Sequence, residues 1–260
     1  MLTEQTDPFC LTAGKAAQML AQAPWRRFAV VGDSLAAGIG DPTPGYAPLP
    51  WGDRVAAALP PDPAYQNTGT IGATTGRTLA NQVDGLLAFE PDLVHIACGA
   101  NDLWRPEPDF GIVEGNLRRL CTIAAGTGAQ LTTFTLGRAF TVPRFPDFPE
   151  RVRMLNKLTR AIAAEHDAVV IDMWDHPVND RPGLISADGI HFAGVGQAVL
   201  AAEVVRALAG LVPGPAGAAV EQVEARPHGL GRFDRLAGAS RVDGRELGDD
   251  RLDQRHARGQ

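Results

Sequence analysis

The amino-acid sequence predicts an α/β fold, a parallel sheet covered by helices on both faces to give a three-layer α/β/α sandwich. Short apolar runs recur between residues 28 and 174, and helical patterns separate them. The runs are apolar on both faces, as strands inside a parallel sheet must be. The segments between them place Leu, Val, Ile and Ala at three- and four-residue spacing over ten or more residues. Right-handed crossovers and layered packing make a doubly wound sheet the architecture that buries both patterns.

The first strand is "FAVVG" (28–32), and the small residues of "DSLAAG" after it can open a helix. A Pro-rich loop, "DPTPGYAPLP" (41–50), leads into the helical "WGDRVAAALP". "AYQNTG" (64–69), the least apolar strand, is followed by the helix "TTGRTLANQVDGLLAFE". "LVHIACG" (93–99) and "LTTFTLG" (131–137) are the third and fourth strands, followed by the helices "GIVEGNLRRLCTIAAGTG" and "PERVRMLNKLTRAIAAEH". "AVVIDMW" (168–174) is the fifth strand, and the helix "GVGQAVLAAEVVRALAG" closes the series.

The chain thus divides into an N-terminal extension (1–25) with one short helix in "AGKAAQMLAQA", a single domain (26–212) and a tail (213–260). The tail interleaves Arg with Asp and Glu, repeats Gly and carries one aromatic, Phe233. Such a segment buries too little surface to offset its ordering entropy and is expected to be disordered.

Composition excludes several classes. A formal net charge of -6 with no basic stripe argues against a nucleic-acid partner. No apolar stretch approaches the roughly 18 residues of a membrane span. The N-terminus lacks the basic-then-apolar pattern of a signal peptide. Cys10, Cys98 and Cys121 are odd in number and widely spaced, matching neither a disulfide framework nor a CxxC metal pattern. A reduced, cytoplasmic location is the expectation, and no His pair lies at metal-ligand spacing.

Ligands of such sheets bind beyond the C-terminal strand ends, and four polar clusters fall there. Ser34 follows the first strand, "NTGTIGATTG" (67–76) the second and "GAND" (99–102) the third, while "DGIH" (188–191) precedes the last helix. A serine hydroxyl needs a base to become nucleophilic, and histidine suits that task near neutrality. The imidazole in turn needs a carboxylate to fix its tautomer. Asp188 and His191, three residues apart, can meet within one turn. An acyl intermediate also needs donors for its oxyanion. Asn101 has a side-chain NH2, Gly72 can present an unobstructed N–H, and the Ser34 N–H at a helix start is a third donor.

These four blocks, in this order, resemble the SGNH (GDSL-type) hydrolases over roughly residues 26–210. The resemblance implies a flavodoxin-like five-stranded sheet in the order 2-1-3-4-5 and ester hydrolysis without metal or cofactor. It implies Ser34 as nucleophile, His191 as base, Asp188 as its partner, and Gly72 and Asn101 as oxyanion donors. Gly69 lies in the same block, and Gly72 is chosen from its distance after Asn67. The substrate expected is a small-molecule ester with a small or medium acyl group. Two other readings stand beside it: an acyltransferase using the same residues, and a non-catalytic α/β module binding a nucleotide or phosphate. The second lacks both the GxxxxGK[ST] and GxGxxG patterns.

Each site residue also has a structural alternative. Ser34 could be a helix N-cap, Gly72 a turn glycine and Asn101 part of an Asx turn, while Asp33 and Asp102 are read as loop supports. His95 is expected in the core and His166 at a helix end, with His176 in a loop. Cys98 and Cys121 are expected to be inert buried thiols. Trp51 and Trp104 are placed equally in an acyl pocket or the core. Arg138 and Arg144 are read as solvated charge at the functional edge.

Overall fold

The five apolar runs form five parallel strands, β1 (Arg27–Gly32), β2 (Ala64–Asn67), β3 (Leu93–Ala97), β4 (Gln130–Phe134) and β5 (Val169–Ile171). Their order across the sheet is β2-β1-β3-β4-β5. The structure, a computed structural model, describes residues 2–212. The segment 213–260, expected above to be disordered, lies outside the described residues.

Alternation along β1 explains why its run is apolar without a break. Phe28 and Val30 point into one hydrophobic core, Ala29 and Val31 into the other. The helices are α1 (Ala13–Met19), α2 (Ser34–Ala37), α3 (Trp51–Ala58), α4 (Thr75–Phe89), α5 (Phe110–Ala125), α6 (Phe148–Glu165) and α7 (Gly194–Ala209). Helices α1, α3 and α7 pack together, while α4 packs on α5 and α5 on α6. The change of side follows from right-handed crossovers: the sheet grows from β1 outward to β2, then back through β3 to β5.

β2 is one of the two edge strands, with β5 at the other side, and all four of its residues are only half-buried. That accounts for its weak apolar signal. Helix α7 is the opposite case, with 12 buried residues, so it reads as apolar nearly all round.

Residues 2–25 pack against the sheet domain. Leu20 and Trp25 join its core, and Asp7 is buried against the Arg181 guanidinium and the Tyr46 hydroxyl. Glu4 pairs with Arg54 of α3 and accepts from the Ala47 N–H. This segment therefore ties the 41–50 loop to the loop that opens at Arg181.

Register brings the strand ends to one edge. Gly32 lies beside Ala97 across β1 and β3, and Val30 beside Asn67 across β1 and β2. Gln82 of α4 clamps this edge from one face. Its side chain accepts from the Gly32 N–H and donates to the Gly32 carbonyl, both at 2.8 Å.

Candidate active site

The chain leaves β1 through Asp33, the N-cap of α2, whose Oδ1 accepts from the Leu35 N–H at 2.9 Å. Ser34 is therefore the first residue of a single helical turn, and the turn closes at Gly38 in the left-handed region. The N-cap role considered for Ser34 belongs instead to Asp33. Three contacts hold the turn. The Trp51 indole N–H donates to the Leu35 carbonyl at 2.8 Å, Asn67 Nδ2 to the Ala36 carbonyl at 2.8 Å, and the Asp33 N–H to the Ala97 carbonyl at 3.0 Å. Trp51 is fully buried, so it supports this turn from within the core and lines no acyl pocket.

His191 arrives from the far end of the chain. Its Nε2 lies 2.7 Å from Ser34 Oγ, and its Nδ1 lies 2.6 Å from Asp188 Oδ2. With the Nδ1 proton directed at the carboxylate, Nε2 is left to accept from the serine hydroxyl. Asp188 also accepts from the N–H groups of Ile190 (2.9 Å) and His191 (3.1 Å) through Oδ1. Burial alone would raise the Asp188 carboxyl. The His191 ring and the two N–H donors outweigh burial and hold it below the usual carboxylate range. The loop is anchored to the segment after α2, because Ser186 Oγ accepts from the Asp41 N–H and Asp41 Oδ2 from the Ala187 N–H.

The second and third blocks are knitted to each other. Asn101 and Asp102 lie in a short 3₁₀ helix, Ala100–Trp104, whose N-cap is Gly99. Asp102 accepts from both the N–H and the hydroxyl of Thr75, each at 2.9 Å, and Asn116 donates to that hydroxyl. Asn101 Nδ2 donates to the Ala73 carbonyl at 3.1 Å, which leaves its second N–H free. Thus Asp102 is a loop support, as the sequence predicts. The Asx-turn alternative for Asn101 gives way to a bridge between the two loops.

The two glycines of the second block sit differently. A Cβ on Gly69 would lie 2.4 Å from the Ala37 nitrogen, so this glycine lets β2's extension pass against α2. Gly72 has φ +73° and open space where a Cβ would project. Among the described residues, the N–H groups of Gly72 and Ser34 donate to no acceptor.

The remaining candidates occupy structural places. His95 is fully buried between Trp51 and Phe134, with Nδ1 2.8 Å from Thr132 Oγ1. Burial pulls it down to about 3, so it stays neutral. His166 caps α6, and His176 Nδ1 accepts from the Val178 N–H in its loop. Burial pushes the Cys98 thiol well above its usual range and Cys121 up to about 11, so neither ionises near neutrality. Arg138 pairs with the exposed Asp180, and Arg144 lies over the Phe145 ring. Trp104 is 37% exposed, set edge-on to Phe145 and Phe148. Among the described residues, no three His, Cys, Asp or Glu side chains gather as a metal site would require. Likewise, none of the described helices is long and apolar enough to cross a membrane.

Gln82, Ser186 and Arg151 also support the site loops; each is a polar residue whose partner is distant in sequence, and no local pattern marks it. Asn67 is the exception, because its spacing from Gly69 is a local signal: Asn67 Oδ1 accepts from the Gly69 N–H.

Asp33 itself is 1% exposed, and its Oδ2 has no partner. Burial pushes it up to about 7 against the pull of the Leu35 N–H, and the nearby Asp102 adds to the rise.

The fold recurs in solved structures. A lipase/acylhydrolase from Enterococcus faecalis is 28% identical, with 72% of this chain and 97% of that one covered and a TM-score of 0.57. TesA is 27% identical, with 70% and 97% covered and a TM-score of 0.56. An acetylxylan esterase from Geobacillus stearothermophilus, 19% identical, shares the fold over 70% of this chain and 93% of its own, with a TM-score of 0.58. No curated protein matches. The model of the GDSL-like lipase/acylhydrolase family matches residues 30–199, which span all four polar blocks. This chain belongs to that family and is an ester hydrolase of the SGNH type.

Proposed function

We propose that this chain hydrolyses a small or medium acyl ester through an acyl-enzyme on Ser34. The observation that carries the reading is the unbroken line from the Asp188 carboxylate through His191 to Ser34 Oγ, with contacts of 2.6 and 2.7 Å. Ser34 Oγ attacks the ester carbonyl carbon as His191 Nε2 takes the hydroxyl proton. The resulting oxyanion accepts from the N–H groups of Ser34 and Gly72 and from the free N–H of Asn101. Collapse breaks the bond to the alcohol oxygen, which leaves with the proton from His191. Water then attacks the acyl carbon, gives its proton to His191, and the acid departs as Ser34 recovers its own. Asp188 stays ionised throughout and steadies the imidazolium.

Ile71, 69% exposed, precedes Gly72 in the chain, and Trp104 shares the short helix of Asn101; these apolar neighbours support an acyl group of more than minimal size. The names of the related lipase/acylhydrolase and acetylxylan esterase point to ester substrates as well. Three free cysteines, Cys10, Cys98 and Cys121, fit a reducing cytoplasm.

Exposure to a fluorophosphonate followed by peptide mapping tests the nucleophile without requiring the physiological ester. A single adduct on Ser34, lost in His191→Ala, is the expected result. An adduct elsewhere, or none on folded protein, refutes the reading. Asn101→Ala is expected to lower kcat by about 10²–10³-fold with little change in KM, because the lost donor acts on charge that develops only in the transition state. Steady-state kinetics on a short p-nitrophenyl ester checks it.

A further inference from the structure

We infer that Arg151 is a positioning residue for the oxyanion donor Asn101, an inference that rests on the catalytic reading above. Asn101 sits in a 3₁₀ helix of five residues, and no side chain caps its start. The chain then runs through "RPEP" (105–108), where Pro106 and Pro108 have no N–H to offer. The two prolines leave this stretch with fewer backbone donors of its own. One guanidinium supplies what is missing. Arg151 Nη1 donates to the carbonyls of Leu103 (2.8 Å) and Arg105 (2.5 Å), and Nη2 donates to Pro106 (3.0 Å). Three carbonyls within five residues of Asn101 thus converge on one side chain.

The guanidinium is itself fixed on its other sides. Its Nε donates to Asp147 at 2.8 Å, and its plane lies 4.5 Å from the Phe145 ring centroid. Phe145 in turn meets Trp104 edge-on. Arg151 is 8% exposed and stands near the start of α6, where the helix dipole disfavours a cation. A buried positive charge in an unfavourable place indicates a role that offsets its cost. Asp102 pins the same short helix to Thr75 of α4. Asn101 is therefore held between two anchors, and Arg151 is the one that α6 contributes.

Lysine keeps the charge but cannot span three carbonyls and a carboxylate with one rigid fork. Arg151→Lys is expected to lower kcat by about 10–100-fold while KM changes less than about twofold, as a small displacement of a transition-state donor should. The decisive measurement is a double-mutant cycle with Asn101→Ala. If Arg151 acts through Asn101, the lysine variant costs less than about threefold in the Asn101→Ala background. An equal loss in both backgrounds, or no loss in the first, overturns the inference. Should Arg151→Lys fail to fold by circular dichroism, Asp147→Ala loosens the same fork without removing it. The same cycle then applies, with an expected loss of about threefold that vanishes without Asn101. Fluorophosphonate labelling of Ser34 in each variant separates the two claims. Labelling at Ser34 with an additive cycle sinks the Arg151 role alone, and labelling elsewhere sinks the catalytic reading on which it rests.

Discussion

Replacing Ser34 with alanine is expected to lower kcat by on the order of 10⁴–10⁶-fold, and His191→Ala by a similar factor. The two changes should not multiply, since in the proposed mechanism hydroxyl and imidazole act as one unit across their 2.7 Å contact. The double variant is therefore expected to sit near either single one, with only the weak catalysis left by the proposed oxyanion donors. Stability should barely move. Ser34 is held by the backbone of its turn, which Asp33, Trp51 and Asn67 anchor, so losing Oγ removes one hydrogen bond on a site wall. Kinetics paired with thermal melts check both halves. Wild-type turnover in a pure Ser34→Ala preparation would refute the nucleophile.

The second large effect concerns stability. Asp7→Asn is expected to destabilise the protein by about 3 kcal/mol at pH 7, because it leaves Arg181 without its carboxylate in a buried setting. The Asp7 side chain has no exposed surface. It receives the Arg181 guanidinium, the Tyr46 hydroxyl and the Phe9 N–H. Burial alone would raise its carboxyl, but these partners outweigh it and lower the pKa from 3.8 to about 2. The sign follows from linkage. A depressed carboxylate stabilises the folded state above its unfolded pKa, and that contribution fades as pH falls from about 4 toward 2. The gap between wild type and Asp7→Asn should therefore be full at pH 7 and narrow through that window. For a domain of this size, 3 kcal/mol corresponds to a fall in Tm of roughly 6–12 °C. Urea unfolding at several pH values measures it, and a gap that stays constant down to pH 2 would refute the ion-pair account.

Asp7 also marks a limit of sequence reading. Residues 2–25 precede the family match at 30–199, and the sequence presents them as an extension with one short helix. In the structure they bury Leu20 and Trp25 and bind Arg181 at the start of the loop that carries Asp188 and His191. A single aspartate before a proline gives no sign that its partner stands 174 positions away. The same holds for Arg151, which reads as one of several charges on an amphipathic helix. The three carbonyls it binds are invisible to any side-chain pattern.

Local chemistry was legible because its signals are local. Unbroken apolar runs marked β1 and β3, and three- and four-residue apolar spacing marked the long helices, since burial dictates both. The polar blocks stood out because they interrupt apolar runs at strand ends, and "DGIH" could be read as a pair because one turn spans three residues. Trp51 was ambiguous, as an aromatic beside a site loop fits core and pocket equally until its indole N–H is seen donating to Leu35.

By itself, the sequence determined the fold class, the succession of strands and helices, and the four polar blocks that carry the family likeness. Those follow from short-range physics: side-chain periodicity, turn chemistry and backbone freedom. Only the tertiary structure decided that His191 reaches Ser34 across 157 residues, that Gly69 packs while Gly72 faces open space, and that Asp7 and Arg151 brace the loops around the site. Those contacts depend on where crossovers deliver each loop, and no residue's immediate neighbours encode that.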